Sequence, residues 1–242
     1  MDLKYLVVGT GRSGTVFMAR LLTSLNIPCS HEMIFNYCGL ECAIARIQGK
    51  EPLQLSWVSR ATYDQGKWQE NSPWLPDLNN VIAESSYMAA PYLKCEILKS
   101  TKIIHTVRNP IKVVNSYCNY IDFFKSSEAN NSYEQFVYNN IPELKTEMPQ
   151  HDRGALFWVR WNQMIENSQP HYFHRIEDGV EGVMKFLNVE GEHFNDTSVN
   201  TLKKPISEKF SILKIQSKII KEEFVAMGRK YGYSMASDNM FI

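Results

Sequence analysis

The stretch LVVGTGRSGT, residues 6–15, decides the fold of this chain. The apolar run before Gly9 reads as a buried parallel strand over residues 3–8. After the glycines, Val16, Phe17, Ala19, Leu21, Leu22 and Leu25 recur at helical spacing, and Asn26 and Pro28 close the segment. Strand, glycine turn and helix together place backbone N–H groups and the positive end of a helix around an anion. Gly9, Gly11 and Gly14 satisfy G-x-G-x-x-G, and Gly9 with Gly14 also has Walker A spacing. The glycines by themselves therefore leave the ligand open.

Working outward, residues 81–85 and 102–107 (KIIHTV) read as further strands, and residues 171–176 alternate like a fifth. Residues 27–31 read as a poor buried strand. Pro110 suits the first turn of a helix running to about residue 124. Helical patterns follow near 133–139 and over 155–167 and 180–187, and a long terminal helix is expected over 208–231. Residues 34–77, rich in Trp, Gln, Ser and Pro, read as an excursion on the substrate side. Strands alternating with helices predict one α/β domain over residues 1–242, three layers (α/β/α) around a mainly parallel sheet of about five strands.

Composition narrows the function classes. The chain has 242 residues and a formal net charge of zero, so no global basic field favours nucleic acid or an anionic membrane. No apolar run approaches the roughly 20 residues needed to cross a bilayer. The five cysteines form no C-x-x-C pair, which predicts reduced thiols, a cytoplasmic protein and no metal site.

The side chains within the loop discriminate among ligands. Walker A needs a lysine and then a Ser or Thr for Mg²⁺; here those positions are Thr15 and Val16, and valine holds no metal. A dinucleotide reading has Glu32 as the ribose-binding acid, but Arg12 would crowd the pyrophosphate. A third reading makes Arg12 the point of the motif. Its planar guanidinium matches the bridging region of a phosphosulfate, with Ser13, Gly14, Thr15 and Val16 adding N–H groups and a hydroxyl. That ligand, 3′-phosphoadenosine 5′-phosphosulfate (PAPS), carries a 3′-phosphate that needs its own cation. TVRNPIKVVNSY offers Arg108 at a strand's carboxyl end and Ser116 eight residues later.

With both anion elements in view, the chain resembles the PAPS-dependent sulfotransferase family. The matching residues are Gly11-Arg12-Ser13-Gly14-Thr15 and Arg108-Asn109-Pro110 with Ser116. Asparagine departs from the family's usual R-D-P. WVRWNQMIE, HRIED and MGRKYGY add similarity along most of the chain, whereas residues 34–77 match nothing familiar. The resemblance implies a P-loop-like α/β fold and metal-independent transfer of a sulfuryl group from PAPS to a hydroxyl or amine, with PAP as product. A small molecule or glycan is the expected acceptor. Arg12 would offset charge on the leaving phosphate. Glu32, about 20 residues beyond it, is the first choice of base, with His31 as partner or alternative and Glu84 as second choice. Phe17 is a candidate for stacking on adenine, or ordinary core. Lys203 and Lys204 are candidates to close over the 3′-phosphate, or a solvated pair, and Trp57, Trp68 and Trp74 are candidates to stack on an acceptor, or ordinary core. Trp158, Trp161 and His105 read as core. The alternatives are a Rossmann-type NAD(P) oxidoreductase and a PAP- or PAPS-binding protein without transfer activity.

Overall fold

Strands buried on both faces need a covering layer on each side, and Leu6, Val7 and Val8 are wholly buried. The computed structural model describes residues 1–53, 76–119, 123–125, 132–190 and 210–235. Its strands are β1 (Tyr5–Val8), β2 (Cys29–His31), β3 (Ala83–Ser85), β4 (Lys102–Val107) and β5 (Tyr172–Arg175). They form one five-stranded sheet in the order β2-β3-β1-β4-β5, with every pairing parallel. The helices are α1 (Thr15–Ser24), α2 (Leu40–Ile47), α3 (Pro110–Asn119), α4 (Ser132–Asn140), α5 (Gln150–Glu166), α6 (Glu181–Leu187) and α7 (Lys218–Lys230). The expected α/β class, a central parallel sheet flanked by helices, is what the chain adopts.

Two compact units make up the chain: Met1–Val107 with Ile165–Thr201, and Arg108–Met164 with Leu202–Ile242. The first holds the sheet. One face of it packs Val7, Ala83 and Ile104 against Met18, Leu21 and Leu22 of α1 and Val183 and Leu187 of α6. The second is centred on aromatic rings. Tyr117 meets Phe157 edge-on at 4.9 Å, and Trp158 meets Phe224 at 5.3 Å. Trp158 and Trp161 are fully buried, as expected of core residues.

Three local expectations are corrected. Residues 29–31 do form a strand: β2 pairs with β3, all three residues are buried, and the Ser30 hydroxyl donates to Glu84. Its polar residues looked wrong for a buried strand because their partners lie elsewhere in the fold: Glu84 for Ser30, 54 positions on, and Thr15 for His31, 16 positions back. The terminal helix begins at Lys218, ten residues later than expected. Both Asp152 carboxylate oxygens accept backbone N–H groups, from Gln216 at 2.7 Å and Ser217 at 2.9 Å. The Ser217 hydroxyl caps the Ile220 N–H. Those amides are thus withdrawn from any helix continuing backward, and Leu213 stays 69% exposed. Likewise α3 ends at Asn119, and Phe124 lies in a turn at φ +62° with its N–H on Glu134. Of the excursion, residues 34–53 carry α2; residues 54–75, with Trp57, Trp68 and Trp74, lie outside the described residues.

Candidate active site

The loop after β1 occupies the point where the sheet order reverses, since β3 and β4 flank β1 on opposite sides. Ligands of parallel sheets bind at such a point, beyond the carboxyl ends of the strands. Close packing explains the outer glycines. A Cβ on Gly9 would run into the Thr106 carbonyl oxygen and Ser13 Oγ. Gly14 adopts φ +92°, and its Cβ would lie 2.6 Å from Ile176 of the segment after β5. Gly14 is also the N-cap of α1, so no side chain caps that helix and no acid sits in its first turn. An anion is the complement of such an end.

Within the loop, Gly11, Ser13 and Thr15 are buried, while Arg12, Gly14 and Val16 are half-buried. Arg12 takes φ +66°, a left-handed conformation uncommon for a side-chain-bearing residue. Ser13 departs from expectation. Its N–H (3.2 Å) and its hydroxyl (2.5 Å) both donate to the Thr10 carbonyl, so Ser13 braces the turn from within. Phe17 is 8% exposed and belongs to the core between α1 and the sheet.

Beside the loop stands a buried polar cluster carried by β2 and β3. His31 Nε2 lies 3.3 Å from Thr15 Oγ1 and 3.8 Å from Glu32 Oε1. The Ser85 hydroxyl donates to the Thr15 carbonyl at 2.7 Å. Burial, seconded by the charge of Arg20, lowers His31 to about 3, so its ring is neutral at ordinary pH. Burial, seconded by the Glu84 carboxylate, pushes Glu32 up to about 8. Near neutrality the His31–Glu32 approach therefore joins a neutral ring to a protonated acid and is no ion pair. Burial also raises Glu84, to about 7, against the opposing pull of its hydrogen bonds to Ser30, Ile34, Phe35 and Met33. Glu32 itself sits at φ +53°. Arg12 and Glu32 thus share a strained backbone region that recurs at functional sites.

Sequence reasoning missed Arg20, a 3%-exposed arginine inside the apolar run MARLL that acts electrostatically on His31. A charge within a buried helical stripe was the available signal. His105 is buried on β4, edge-on to Phe173 at 5.6 Å. Among the described residues no cluster of three or more His, Cys, Asp or Glu has the arrangement to hold a metal ion.

In the second unit, Asn109 Oδ1 accepts the N–H groups of Ile111 (3.0 Å) and Lys112 (3.3 Å), capping α3 with Pro110 in its first turn. Asparagine here fills the capping role an aspartate would fill. Arg108, half-buried, directly precedes this cap. Ser116 is buried on α3, seven residues after Asn109, which returns it to the same helix face. Lys203 and Lys204 lie outside the described residues.

No protein-family model matches the chain, and no curated protein matches it. Among solved structures, the chain aligns with one titled "Sulfotransferase Domain from the Curacin Biosynthetic Pathway" at 12% identity. The alignment covers 98% of this chain and 99% of that chain, with a TM-score of 0.47.

Proposed function

We propose that this protein is a sulfotransferase that moves a sulfuryl group from PAPS to a hydroxyl or amine acceptor. One observation carries the reading: the loop that carries Arg12 and leads into the uncapped start of α1 touches, through Thr15, the buried His31–Glu32 pair. An anion site and a proton acceptor side by side are what group transfer from a phosphosulfate requires. The uncapped start of α1 and the Arg12 guanidinium fit a 5′-phosphosulfate, and Arg108 with Ser116 is assigned to the 3′-phosphate.

PAPS supplies the sulfuryl group. The acceptor oxygen or nitrogen forms a bond to sulfur as the bond from sulfur to the 5′-phosphate oxygen breaks. The acceptor's proton passes to the ionised Glu32 carboxylate, and PAP departs. Arg12 and the first N–H groups of α1 offset the charge that grows on the departing phosphate. Neutral His31 orients Glu32 and hydrogen-bonds the loop hydroxyl of Thr15. Val16 offers no metal ligand, consistent with metal-independent transfer. The sheet order favours this reading over a dinucleotide oxidoreductase: in the Rossmann order β2 lies beside β1, whereas here β3 stands between them.

Thermal shift with PAP, ATP plus Mg²⁺ and NAD⁺ in parallel tests the assignment. PAP without metal is expected to stabilise the protein, and Arg108→Ala to abolish the shift. Stabilisation by NAD⁺ alone would overturn it. Transfer of labelled sulfate from PAPS to an acceptor panel separates an enzyme from a binding protein.

A further inference from the structure

Ala83 and Ser85 face α1, the first in its core and the second on the Thr15 carbonyl. Alternation along the strand then turns Glu84 to the opposite face, where it is wholly buried. Ser30, its register partner on β2, faces the same way and donates its hydroxyl to Glu84 Oε2. Past β2 the chain turns at Glu32 and folds back over this carboxylate. The N–H groups of Ile34 (3.0 Å) and Phe35 (3.3 Å) donate to Glu84 Oε1. Two further ties hold the turn. Ser86 Oγ donates to the Phe35 carbonyl at 2.8 Å, and the Arg46 guanidinium on α2 donates to the Ile34 carbonyl at 3.0 Å.

We infer that Glu84 is a positioning residue for Glu32: its carboxylate is the post on which residues 33–35 are hung, and this holds Glu32 beside His31 and the phosphate loop. Its lone pairs are committed to Ser30, Ile34 and Phe35, which leaves it the wrong partner for an acceptor's proton. The inference rests on the proposed transfer reaction for its purpose, but its geometry is independent of that reaction. The charged and titratable groups around the turn are His31 and Cys29 on β2, Glu84 on β3, Arg20 on α1 and Arg46 on α2. Among them the Glu84 carboxylate opposes ionisation of Glu32. The residue that positions the base therefore also adds, after burial, to its proton affinity.

Carboxyl NMR titration of protein carrying ¹³C-labelled glutamate tests this without substrate, the Glu32 signal being identified by its loss in Glu32→Gln. Glu84→Gln keeps an acceptor oxygen for the two amides and removes the charge. It should leave the Ile34 and Phe35 amides protected from hydrogen exchange while the Glu32 titration moves down by about half a pH unit or more. An unmoved Glu32 titration, or fast exchange of both amides in wild-type protein, overturns the inference. Glu84→Ala should expose both amides; if it does not fold, Ser30→Ala, which removes one tie, should speed their exchange severalfold. In sulfate transfer from PAPS, Glu84→Gln should keep kcat within about threefold at its plateau and shift the pH profile with the titration. Loss of activity at every pH would make Glu84 the base instead. Failure of wild-type protein to bind PAP sinks the sulfotransferase reading alone, since titration and exchange still report on Glu84.

Discussion

Arg12 and Glu32 are two of the six non-glycine residues with positive φ among the described residues. Such backbone persists only where neighbouring contacts over-determine it. For Arg12 those are the Ser13 brace on Thr10 and the packing at Gly9 and Gly14; for Glu32 they are the ties of the following turn. Removing the Arg12 guanidinium should cost transfer activity by about 10²–10³ in kcat, the scale for one lost charge-stabilising donor. Arg12→Lys should recover only part of it, because an ammonium lacks the planar fork; steady-state kinetics with PAPS measures both. Glu32→Gln should lower kcat by roughly 10²–10⁴ while leaving PAP affinity within a few-fold, which calorimetry checks. Because burial and Glu84 hold Glu32 up to about 8, kcat/KM should climb about tenfold per pH unit below that value and level off above it. A profile flat from pH 6 to 9 would remove Glu32 as the base.

At the scale of elements, the loop and α1 act as one device. Gly14 supplies a left-handed turn and leaves room for Ile176, so Gly14→Ala brings a backbone penalty of about 1–2 kcal/mol plus a clash. The variant should melt lower and lose most of its stabilisation by PAP, whereas an exposed change such as Lys50→Ala should do neither. The β1–loop–α1 unit was legible in the sequence because each of its signals is local: an apolar run, glycines at fixed spacing, a 3.6-residue period. The strand β4 was equally legible, and its bounds, Lys102–Val107, match the apolar run. The strand β2 was not, because what makes Ser30 and His31 acceptable in a buried strand is Glu84 and Thr15 across the fold. The start of α7 was hidden for the same reason: Asp152, more than 60 residues away, takes the amides that would have extended it.

At the scale of the molecule, the buried titratable groups set how stability varies with pH. Glu32 and Glu84 have folded-state values raised to about 8 and about 7, so their contribution is complete below about 4.5 and is lost as pH rises through 7 to 8. His31 and His174 are lowered to about 3 and about 4, so theirs is complete above about 6.5 and is lost as pH falls toward 3 to 4. Between about 4.5 and 6.5 the two sets oppose; above it only the carboxylates act. The melting temperature should accordingly fall from pH 6.5 to 8.5, and Glu32→Gln should flatten that decline. A calorimetric series that keeps falling with the same slope in the variant would place the destabilising charge elsewhere.

The sequence by itself determined the α/β class and the strand–loop–helix at its start. These follow from periodicity, glycine spacing and residue chemistry along a few consecutive positions. It also singled out Glu32 as the first choice of base, His31 as its partner or alternative and Glu84 as the second choice. Their surroundings came only from the tertiary structure. Parallel pairing sets β2 and β3 side by side, which commits Glu84 to the amides of the turn, sets His31 on Thr15 and brings two carboxylates into one dry space. Proton affinity depends on burial and on charges close in space, and those are properties of the fold.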